Sequence, residues 1–312
     1  IVAEVGKNFI QTQEDRPISE YLQNAKLLIS AAKEAGADAV KFQTHNVEDE
    51  QLDILVTAPH FSGVDRYSWV KRNTEATPLE FWQNIKGYCD ELDIVFFSAP
   101  MSRGAAQKIN PLVPLWKVGS GDLLDFVMLD YLASTGKPII ISSGMSTIDE
   151  IDKAVLFLKQ RTDKIILLHC VSKYPCPKDE LYLDTIPFLA NRYSLSVGFS
   201  DHSPNVLSAR AAVEKGAVII EKHFSLSRDL WGSDHKVSML AHEFKLMVEA
   251  VRGRKDVPAD QFGSGVKTLD EAESAFRPYF RKSLVAGQNM PTGTIITKEM
   301  LYAMRPQQWA GG

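Results

Sequence analysis

The chain has 312 residues, of which 45% are hydrophobic and 24% are charged, and these proportions are typical of folded globular domains. Its formal net charge of -4 gives no overall basic character for binding nucleic acid. No apolar run reaches the roughly 20 residues that a membrane-spanning helix requires. We therefore expect a folded protein with no nucleic-acid partner and no membrane insertion.

Cysteine usage indicates a reducing compartment. Only Cys89, Cys170 and Cys176 occur, and a sparse, odd count is unlike a disulfide framework. The three do not form the paired spacing of a zinc site either. We expect a cytoplasmic protein in which these cysteines are packing residues.

Along the first 255 residues, short β-branched or aromatic runs alternate with longer stretches of helical period. Such alternation is typical of βα units around a parallel sheet. Eight strands are predicted, over residues 1–5, 39–43, 94–98, 115–118, 139–142, 165–169, 195–199 and 218–222. Because eight βα units in about 250 residues match the size of a TIM barrel, we predict an α/β fold with a (β/α)8 TIM barrel over residues 1–255.

The connection after the second predicted strand is unusually long. Residues 46–72 exceed an ordinary βα loop, and such insertions on a barrel commonly serve as lids or binding loops. We therefore expect this segment at the mouth of the barrel. The helix that follows is predicted to have Thr77 as its N-cap, Pro78 at its first position and Glu80 completing a capping box.

The composition changes after the barrel. Residues 256–280 contain two glycines and an acidic run at 270–273, and we interpret them as a linker. Residues 281–312 predict short strands, a turn around residues 291–293 and a helix start at Thr297. Since a unit this short rarely stands alone, we expect it to dock elsewhere or to be the first part of a larger module.

Polar side chains follow nearly every predicted strand. In a TIM barrel the carboxyl ends of the strands carry the active site, so these residues are the first candidates for function. In chain order they are Glu4, Lys41, Gln43, Ser98, Lys117, Ser120, Asp122, Ser142, Ser143, His169, Ser200, Asp201, His202, Glu221, Lys222 and His223.

Two of these candidates are lysines that point into one mouth. Lys41 and Lys117 would repel each other at low dielectric unless an anion lay between them. The turns at 119–121 and 142–144 combine glycines, which allow close backbone approach, with serine hydroxyls. A single such turn is more often only a tight βα connection, but together with two lysines the pair predicts a phosphate site.

Two histidines end neighbouring strands. His202 and His223 could converge on one divalent ion as neutral nitrogen ligands, leaving positions open for water and substrate. Either histidine alone is more often a hydrogen-bonded strand-end residue. The pair, with Asp201 and Glu221 behind it, predicts a Lewis-acid metal site.

Two further residues could contact a hydroxylated substrate. Tyr174 lies just past the sixth strand, although its ring could equally cover the core. Asp234 lies in a loop after the eighth strand, where a carboxylate could reach sugar hydroxyls. His45 has the position of a loop histidine, and we assign it no role.

In this order, the motifs resemble the sialic acid synthase family, the phosphoenolpyruvate-condensing nonulosonate synthases. The matching stretches are AEVG at 3–6, AGADAVKFQ at 35–43, WKVGSGD at 116–122, ISSGM at 141–145, LHC at 168–170, SDH at 200–202, EKHF at 221–224 and GSDH at 232–235. Residues 281–306 are similar to the start of the family's antifreeze-like (SAF) domain. We expect the rest of that domain to be missing, so the resemblance implies a partial SAF domain over residues 281–312.

The resemblance implies a transferase that joins phosphoenolpyruvate to an amino sugar and releases phosphate. It assigns phosphoenolpyruvate to Lys41, Lys117, Ser120, Ser142 and Ser200, with Ser98 or Ala99 as a further contact, and Mn²⁺ or another divalent ion such as Mg²⁺ to His202 and His223. It assigns the acceptor sugar to Gln43, Asp122, Tyr174 and Asp234. Lys41, Lys117, Asp122, His202 and His223 are the implied catalytic residues.

The same resemblance implies a domain-swapped homodimer in the full-length protein. In the family, the antifreeze-like domain crosses to the partner subunit, and the arginine of its RP motif reaches the sugar site there. Arg305 is the matching position. One departure concerns residues 8–11, where the family's Asn-His-x-Gly type of turn is replaced by Asn8-Phe9-Ile10-Gln11, which removes a titratable group near the sugar end of the implied site.

Several alternatives remain at the level of sequence. The acceptor could be N-acetylmannosamine, a legionaminic or pseudaminic precursor, or a 6-phosphosugar that gives a 9-phosphate product. A metal-dependent hydrolase on the same barrel would also use strand-end histidines, but it would not need two lysines and two serine-glycine turns. A non-catalytic sugar-binding homologue is a third possibility, suggested by Phe9 and Ile10.

Overall fold

The computed structural model describes residues 1–57, 64–253 and 257–307. Eight parallel strands form its centre, each paired with the next in chain order, and pairing of the first with the eighth closes the barrel. They are β1 (Val2–Gly6), β2 (Ala39–Thr44), β3 (Val95–Pro100), β4 (Trp116–Val118), β5 (Ile139–Ser142), β6 (Ile165–Cys170), β7 (Ser196–Asp201) and β8 (Ile220–Ser225). The predicted TIM barrel is confirmed. A short ninth strand, β9 (Met239–Leu240), extends the sheet beside the end of β8.

Helices surround the strands. They are α1 (Ile18–Glu34), α2 (Val47–Glu50), α3 (Arg66–Ala76), α4 (Leu79–Glu91), α5 (Arg103–Ile109), α6 (Phe126–Ser134), α7 (Ile148–Lys159), α8 (Thr185–Tyr193), α9 (Ser208–Glu214), α10 (Ala241–Arg252), α11 (Glu271–Ser274) and α12 (Arg277–Phe280). The longest, α1, buries Tyr21, Ala25, Leu28, Ile29 and Ala32, a spacing of three or four residues that forms one apolar stripe. Within the described ranges, no helix is both long and apolar enough to cross a bilayer.

The predicted capping box at Thr77 is wrong. The N-cap of α4 is Pro78, which has no side chain capable of capping, and the helix starts at Leu79. The hydroxyl of Thr77 instead donates to the backbone carbonyl of Asn73 at 2.7 Å. Because α3 ends at the residue before Thr77, this side chain satisfies a carbonyl of the preceding helix.

The residues that depart from the family's turn lie in the hydrophobic core. Phe9 and Ile10 are each 1% exposed, and the ring of Phe9 packs against those of Phe42 and Phe81 at centroid distances of 6.1 and 5.2 Å. Burying side chains of this size contributes about 2 kcal/mol each. The apolar pair therefore stabilises the layer between the strands and the helices.

Residues 257–280, which we interpreted as part of a linker, are anchored to the barrel. The buried carboxylate of Glu273 accepts hydrogen bonds from the backbone N–H groups of Met145 and Ser172, at 3.0 and 2.8 Å, and from Lys267 Nζ at 2.8 Å. Arg277 pairs with Glu150 at 2.6 Å. This segment therefore crosses the mouth of the barrel along a defined path. Residue 256, the first of the interpreted linker, lies outside the described residues.

The final segment forms an antiparallel hairpin. Strand β10 (Ser283–Ala286) pairs with β11 (Leu301–Met304), as the short strands predicted for residues 281–312 require. Arg305 follows β11 directly, and its backbone bonds to Glu50 and Leu52 return the chain to the mouth of the barrel. Residues 308–312 lie outside the described part of the chain, and the comparison of this segment with an antifreeze-like domain stays a prediction.

Candidate active site

A cavity of about 370 Å³ opens at the carboxyl ends of the strands. All of the residues to which the family resemblance assigned a catalytic, substrate or metal role, except Ser98, line it, together with residues that had no assigned role. The predicted residues in its wall are Lys41, Gln43, Lys117, Ser120, Asp122, Ser142, Tyr174, Ser200, His202, His223, Asp234 and Arg305. The barrel thus brings together side chains from both ends of the chain.

Ser98 does not reach the cavity, so its predicted contact with substrate is wrong. It is fully buried, and its hydroxyl bonds to Thr44 Oγ1 at 2.7 Å and to the carbonyl of Phe42 at 3.0 Å. The register of the sheet gives the reason: Ser98 lies beside Phe42, whereas Ala99 lies beside the cavity residue Gln43. Since successive side chains of a strand face opposite sides, Ala99 lines the cavity.

The two lysines are bridged by a carboxylate of the chain itself. Glu221 Oε1 lies 3.0 Å from Lys41 Nζ and 3.8 Å from Lys117 Nζ, and Lys41 also pairs with Glu4 Oε2 at 3.0 Å. Burial alone would raise the pKa of Glu221, but the charges of Lys117 and Lys41 outweigh it and lower the pKa to about 2. The anion expected between Lys41 and Lys117 is therefore, at least in part, the carboxylate of Glu221.

Lys117 remains incompletely neutralised. It donates to Ser142 Oγ at 2.7 Å, and burial lowers its pKa to about 8, with Glu221 opposing the shift and Lys41 adding to it. Glu4 shows the opposite response, because burial raises its pKa while the charge of Lys41 opposes the rise. A further anion beside Lys117 would stabilise the charged lysine.

Small residues and hydroxyls line the same cavity as this cation. Ser120, Ser142 and Ser200 line the cavity. A Cβ added at Gly144 would lie 2.5 Å from Ser120 Oγ and 2.2 Å from the hydroxyl of Ser172, so only glycine fits there. The turn after β5 thus brings backbone and hydroxyl donors close to Lys117, an arrangement suited to a phosphate group.

The predicted metal ligands His202 and His223 lie together, with ring centroids 5.5 Å apart. His202 Nδ1 donates to the carbonyl of Val171 at 2.8 Å, which leaves Nε2 available as a ligand atom. His223 Nδ1 is buried and, among the described residues, has no hydrogen-bond partner. Burial lowers the pKa of His223 to about 3, which keeps the ring in the neutral form that metals bind.

These two nitrogens fit a divalent ion with few protein ligands. The described residues contain no group of three or more His, Cys, Asp or Glu side chains that could hold a metal, so the remaining positions would belong to water and substrate. Asp201 and Glu221 were expected behind the histidines. Asp201 instead pairs with Lys222 at 2.7 Å, and Glu221 faces the two lysines.

Tyr174 and Cys170 complete the wall near His202. The ring of Tyr174 lies 4.2 Å from that of His202, so the phenol belongs to the cavity. Cys170 Sγ is 3.8 Å from His202 Nδ1. Cys170 was interpreted as a packing residue, and the structure places it in the cavity wall.

A chain of buried charges forms the opposite side. Asp122 Oδ1 lies 2.5 Å from Arg305 Nη2 and 3.0 Å from Lys282 Nζ. Arg305 also pairs with Glu50 at 3.3 Å, and Glu50 bonds to His45 at 2.9 Å. His45, to which we assigned no role, follows β2 outside regular structure, is 4% exposed and lines the cavity. Glu50 could not be predicted from the sequence, because nothing in its local pattern marks it as buried.

The fold and the cavity define a class: closed parallel barrels with a polar, charged site at the carboxyl ends of their strands. A family model described as the NeuB family matches residues 28–261. The chain belongs to the NeuB family.

Characterised relatives and a solved structure agree with this membership. The chain is 33% identical to human N-acetylneuraminate-9-phosphate synthase, over 96% of this chain and 81% of that protein. It is 32% identical to the N,N'-diacetyllegionaminic acid synthase of Legionella pneumophila, over 98% of this chain and 85% of that protein. The crystal structure of the spore coat polysaccharide biosynthesis protein SpsE from Bacillus subtilis superposes with a TM-score of 0.79 and 29% identity, over 98% of this chain and 85% of that one.

Proposed function

We propose that the chain condenses phosphoenolpyruvate with an N-acetylhexosamine, such as N-acetylmannosamine or a related amino sugar, to give a nonulosonic acid and inorganic phosphate. One observation carries the proposal: the incompletely neutralised Lys117, with its serine hydroxyls, and the His202–His223 pair line the same cavity. An anion site and an electrophile-activating site in one cavity are what this condensation requires.

At the phosphate end, Lys41 and Lys117 would hold the anion together with Ser120, Ser142 and Ser200. Charge-assisted hydrogen bonds of this kind are worth about 1.5–3 kcal/mol each. Glu221 neutralises part of the lysine charge. The empty site therefore carries little excess positive charge, although its lysines can still bind the dianion.

At the sugar end, Gln43, Asp122, Tyr174, Asp234 and Arg305 would position the acceptor. His202 and His223 would hold Mn²⁺ or another divalent ion, and the chemistry that such an ion supplies when bound is Lewis-acid polarisation of the open-chain aldehyde. C3 of phosphoenolpyruvate then attacks the aldehyde carbon, water adds at C2, and phosphate leaves by cleavage of its C–O bond. The contribution of this chain is positioning and electrostatic stabilisation of the dianion.

The three buried, unpaired cysteines support activity in the cytoplasm. A homodimer with exchanged C-terminal segments stays part of the proposal for the full-length protein. The structure of the single chain places Arg305 against its own barrel. The non-catalytic alternative is tested by the same phosphate-release experiment as the synthase.

The test is phosphate release from phosphoenolpyruvate with Mn²⁺ and a panel of N-acetylhexosamines, including legionaminic and pseudaminic precursors, with EDTA as the negative control. Release that depends on both sugar and metal would support the synthase. Phosphate release without a sugar would contradict it, since hydrolysis alone needs no acceptor. Silence across the panel, together with sugar binding, would favour the binding-only alternative.

A further inference from the structure

Two partly buried cations in the cavity wall, Lys7 and Arg66, differ from the buried cations Lys41 and Arg305 because they form no ion pair with a carboxylate among the described residues. Lys41 pairs with Glu4 and Glu221, and Arg305 pairs with Asp122 and Glu50. Lys7 and Arg66 also line the cavity. Among the described residues, neither has an ion pair or a hydrogen-bonded side-chain partner, and the buried Arg66 Nε has no acceptor at all.

Aromatic rings hold these two cations in place. Lys7, which follows β1, has its Nζ 5.5 Å from the ring centroid of Trp69, and the guanidinium of Arg66 lies 4.8 Å from that of Phe280. Arg66 and Trp69 are three residues apart on α3, so they share one face of this helix. A ring contact satisfies one side of a cation and leaves its N–H donors free for a ligand in the cavity.

The charges around both groups offset the effect of burial only in part. Burial lowers the pKa of Lys7, an effect that Asp234 opposes and Arg66 reinforces. Burial and the charge of Arg305 lower the pKa of Arg66 to about 10, although Glu50, Asp122 and Asp65 oppose this shift. Like charges in a partly desolvated wall destabilise one another, and a bound anion removes that cost.

We propose that Lys7 and Arg66 form a second anion subsite, separate from the Lys41–Lys117 site, which binds a phosphate monoester at the far end of the acceptor sugar. This rests on the proposed function, and it narrows the acceptor to a 6-phosphosugar. Two cations match the double charge that a phosphate monoester carries near neutral pH. Arginine and lysine are the side chains best suited to phosphate.

The position of the pair favours the acceptor over phosphoenolpyruvate. Ser142 bonds to Lys117, and Ser200 bonds to Glu221 beside it. Lys7, by contrast, is close enough to Asp234, and Arg66 to Asp122 and Arg305, for their charges to influence one another. These neighbours are the residues proposed for the sugar. A phosphate on C6 of an open-chain sugar is the group most distant from the reacting aldehyde.

The test compares an N-acetylhexosamine with its 6-phosphate as acceptor, using phosphate release from phosphoenolpyruvate, in wild type, Lys7→Gln and Arg66→Gln. Lys71→Gln is the matched control, since Lys71 is an exposed cation on the same helix, outside the cavity wall. We expect wild type to prefer the 6-phosphate by about tenfold or more in kcat/KM. Each subsite variant should raise KM for the 6-phosphate by about tenfold, and far more than KM for phosphoenolpyruvate, while the control should match wild type.

The outcomes separate the subsite from the proposed function. Equal or better use of the unphosphorylated sugar by wild type would overturn the subsite and leave the synthase intact. Equal losses with both acceptors in the variants would indicate a structural role and would also overturn it. If neither sugar is turned over, the proposed function fails, and calorimetry with the 6-phosphate alone decides the subsite: binding that Lys7→Gln and Arg66→Gln abolish supports it, and any other result refutes it.

Discussion

Arg305 and Asp122 form a buried ion pair, with Nη2 2.5 Å from Oδ1, although 183 residues separate them in the chain. Their side chains are 3% and 1% exposed. The pair joins the segment after β11 to the turn after β4 and so fixes one side of the cavity. Asp122 also contacts Lys282, so this carboxylate binds two cations of the C-terminal segment, which pair in addition with Asp125 and Glu50.

Removing the cation should destabilise the protein. In Arg305→Met, Asp122 keeps Lys282 but loses its bidentate-capable partner, and Glu50 keeps only His45. Breaking a buried pair from one side costs about 3 kcal/mol, which urea unfolding measures. Arg192→Met is the control, since its pair with Asp152 lies on the surface and its loss should change little. The double variant Arg305→Met, Asp122→Asn tests whether the two residues are coupled. If its free energy of unfolding falls by the sum of the two single losses, the pair is not coupled.

Complementation can determine whether Arg305 completes the cavity of its own subunit or that of a partner. Lys117→Ala and Arg305→Ala proteins, each inactive under the proposed function, are mixed and assayed for phosphate release. If Arg305 completes its own barrel, as in the single chain, mixing should recover no activity. If segments exchange between subunits in the full-length protein, mixed dimers should contain one intact site and activity should return.

Lys117 should determine affinity for phosphoenolpyruvate. Lys117→Met keeps the length of the side chain and removes its charge, together with the hydrogen bond to Ser142. The loss of one charge-assisted contact of about 1.5–3 kcal/mol should raise the dissociation constant for phosphoenolpyruvate, measured by calorimetry, roughly 10- to 150-fold. Lys153→Met, a change at an exposed lysine of α7, is the matched control. Unchanged affinity in Lys117→Met would contradict the phosphate assignment.

The activity should fall on the alkaline side of pH 8. The pKa of Lys117 is lowered to about 8 by burial, so the lysine is charged below this pH and neutral above it. Since only the charged form attracts the dianion, kcat/KM for phosphoenolpyruvate should be level just below pH 8 and decline above it. Lys117→Arg, if active, should extend the level region to higher pH because a guanidinium stays charged. An alkaline limb that stays at the same pH in that variant would assign the titration to another group.

The histidine pair should account for bound metal. The double variant His202→Ala, His223→Ala removes both ring nitrogens, so stoichiometric Mn²⁺ measured by elemental analysis should fall to background. His242→Ala provides the control, as His242 lies on α10 and does not line the cavity. Full Mn²⁺ retention by the double variant would refute the site, whatever its activity.

Much of the site could be predicted because a TIM barrel converts chain order into position. Once eight strands are recognised from their spacing, the residues at their carboxyl ends must surround one mouth, and Lys41, Lys117, His202 and His223 do so. The prediction needs only local periodicity and the rule that parallel strands end together. Ser98 shows its limit, because the choice between Ser98 and Ala99 depends on the register with β2.

The sequence by itself determined the barrel, its family resemblance and which polar residues follow the strands, since these properties depend on short-range pattern. Only the tertiary structure decided which charges are neutralised. Glu221 lies between Lys41 and Lys117, and Glu50 and Asp122 both pair with Arg305. Lys7 and Arg66 form no ion pair among the described residues. These relations join side chains that are far apart in the chain, and electrostatic energy depends on distance and burial, which no local pattern encodes.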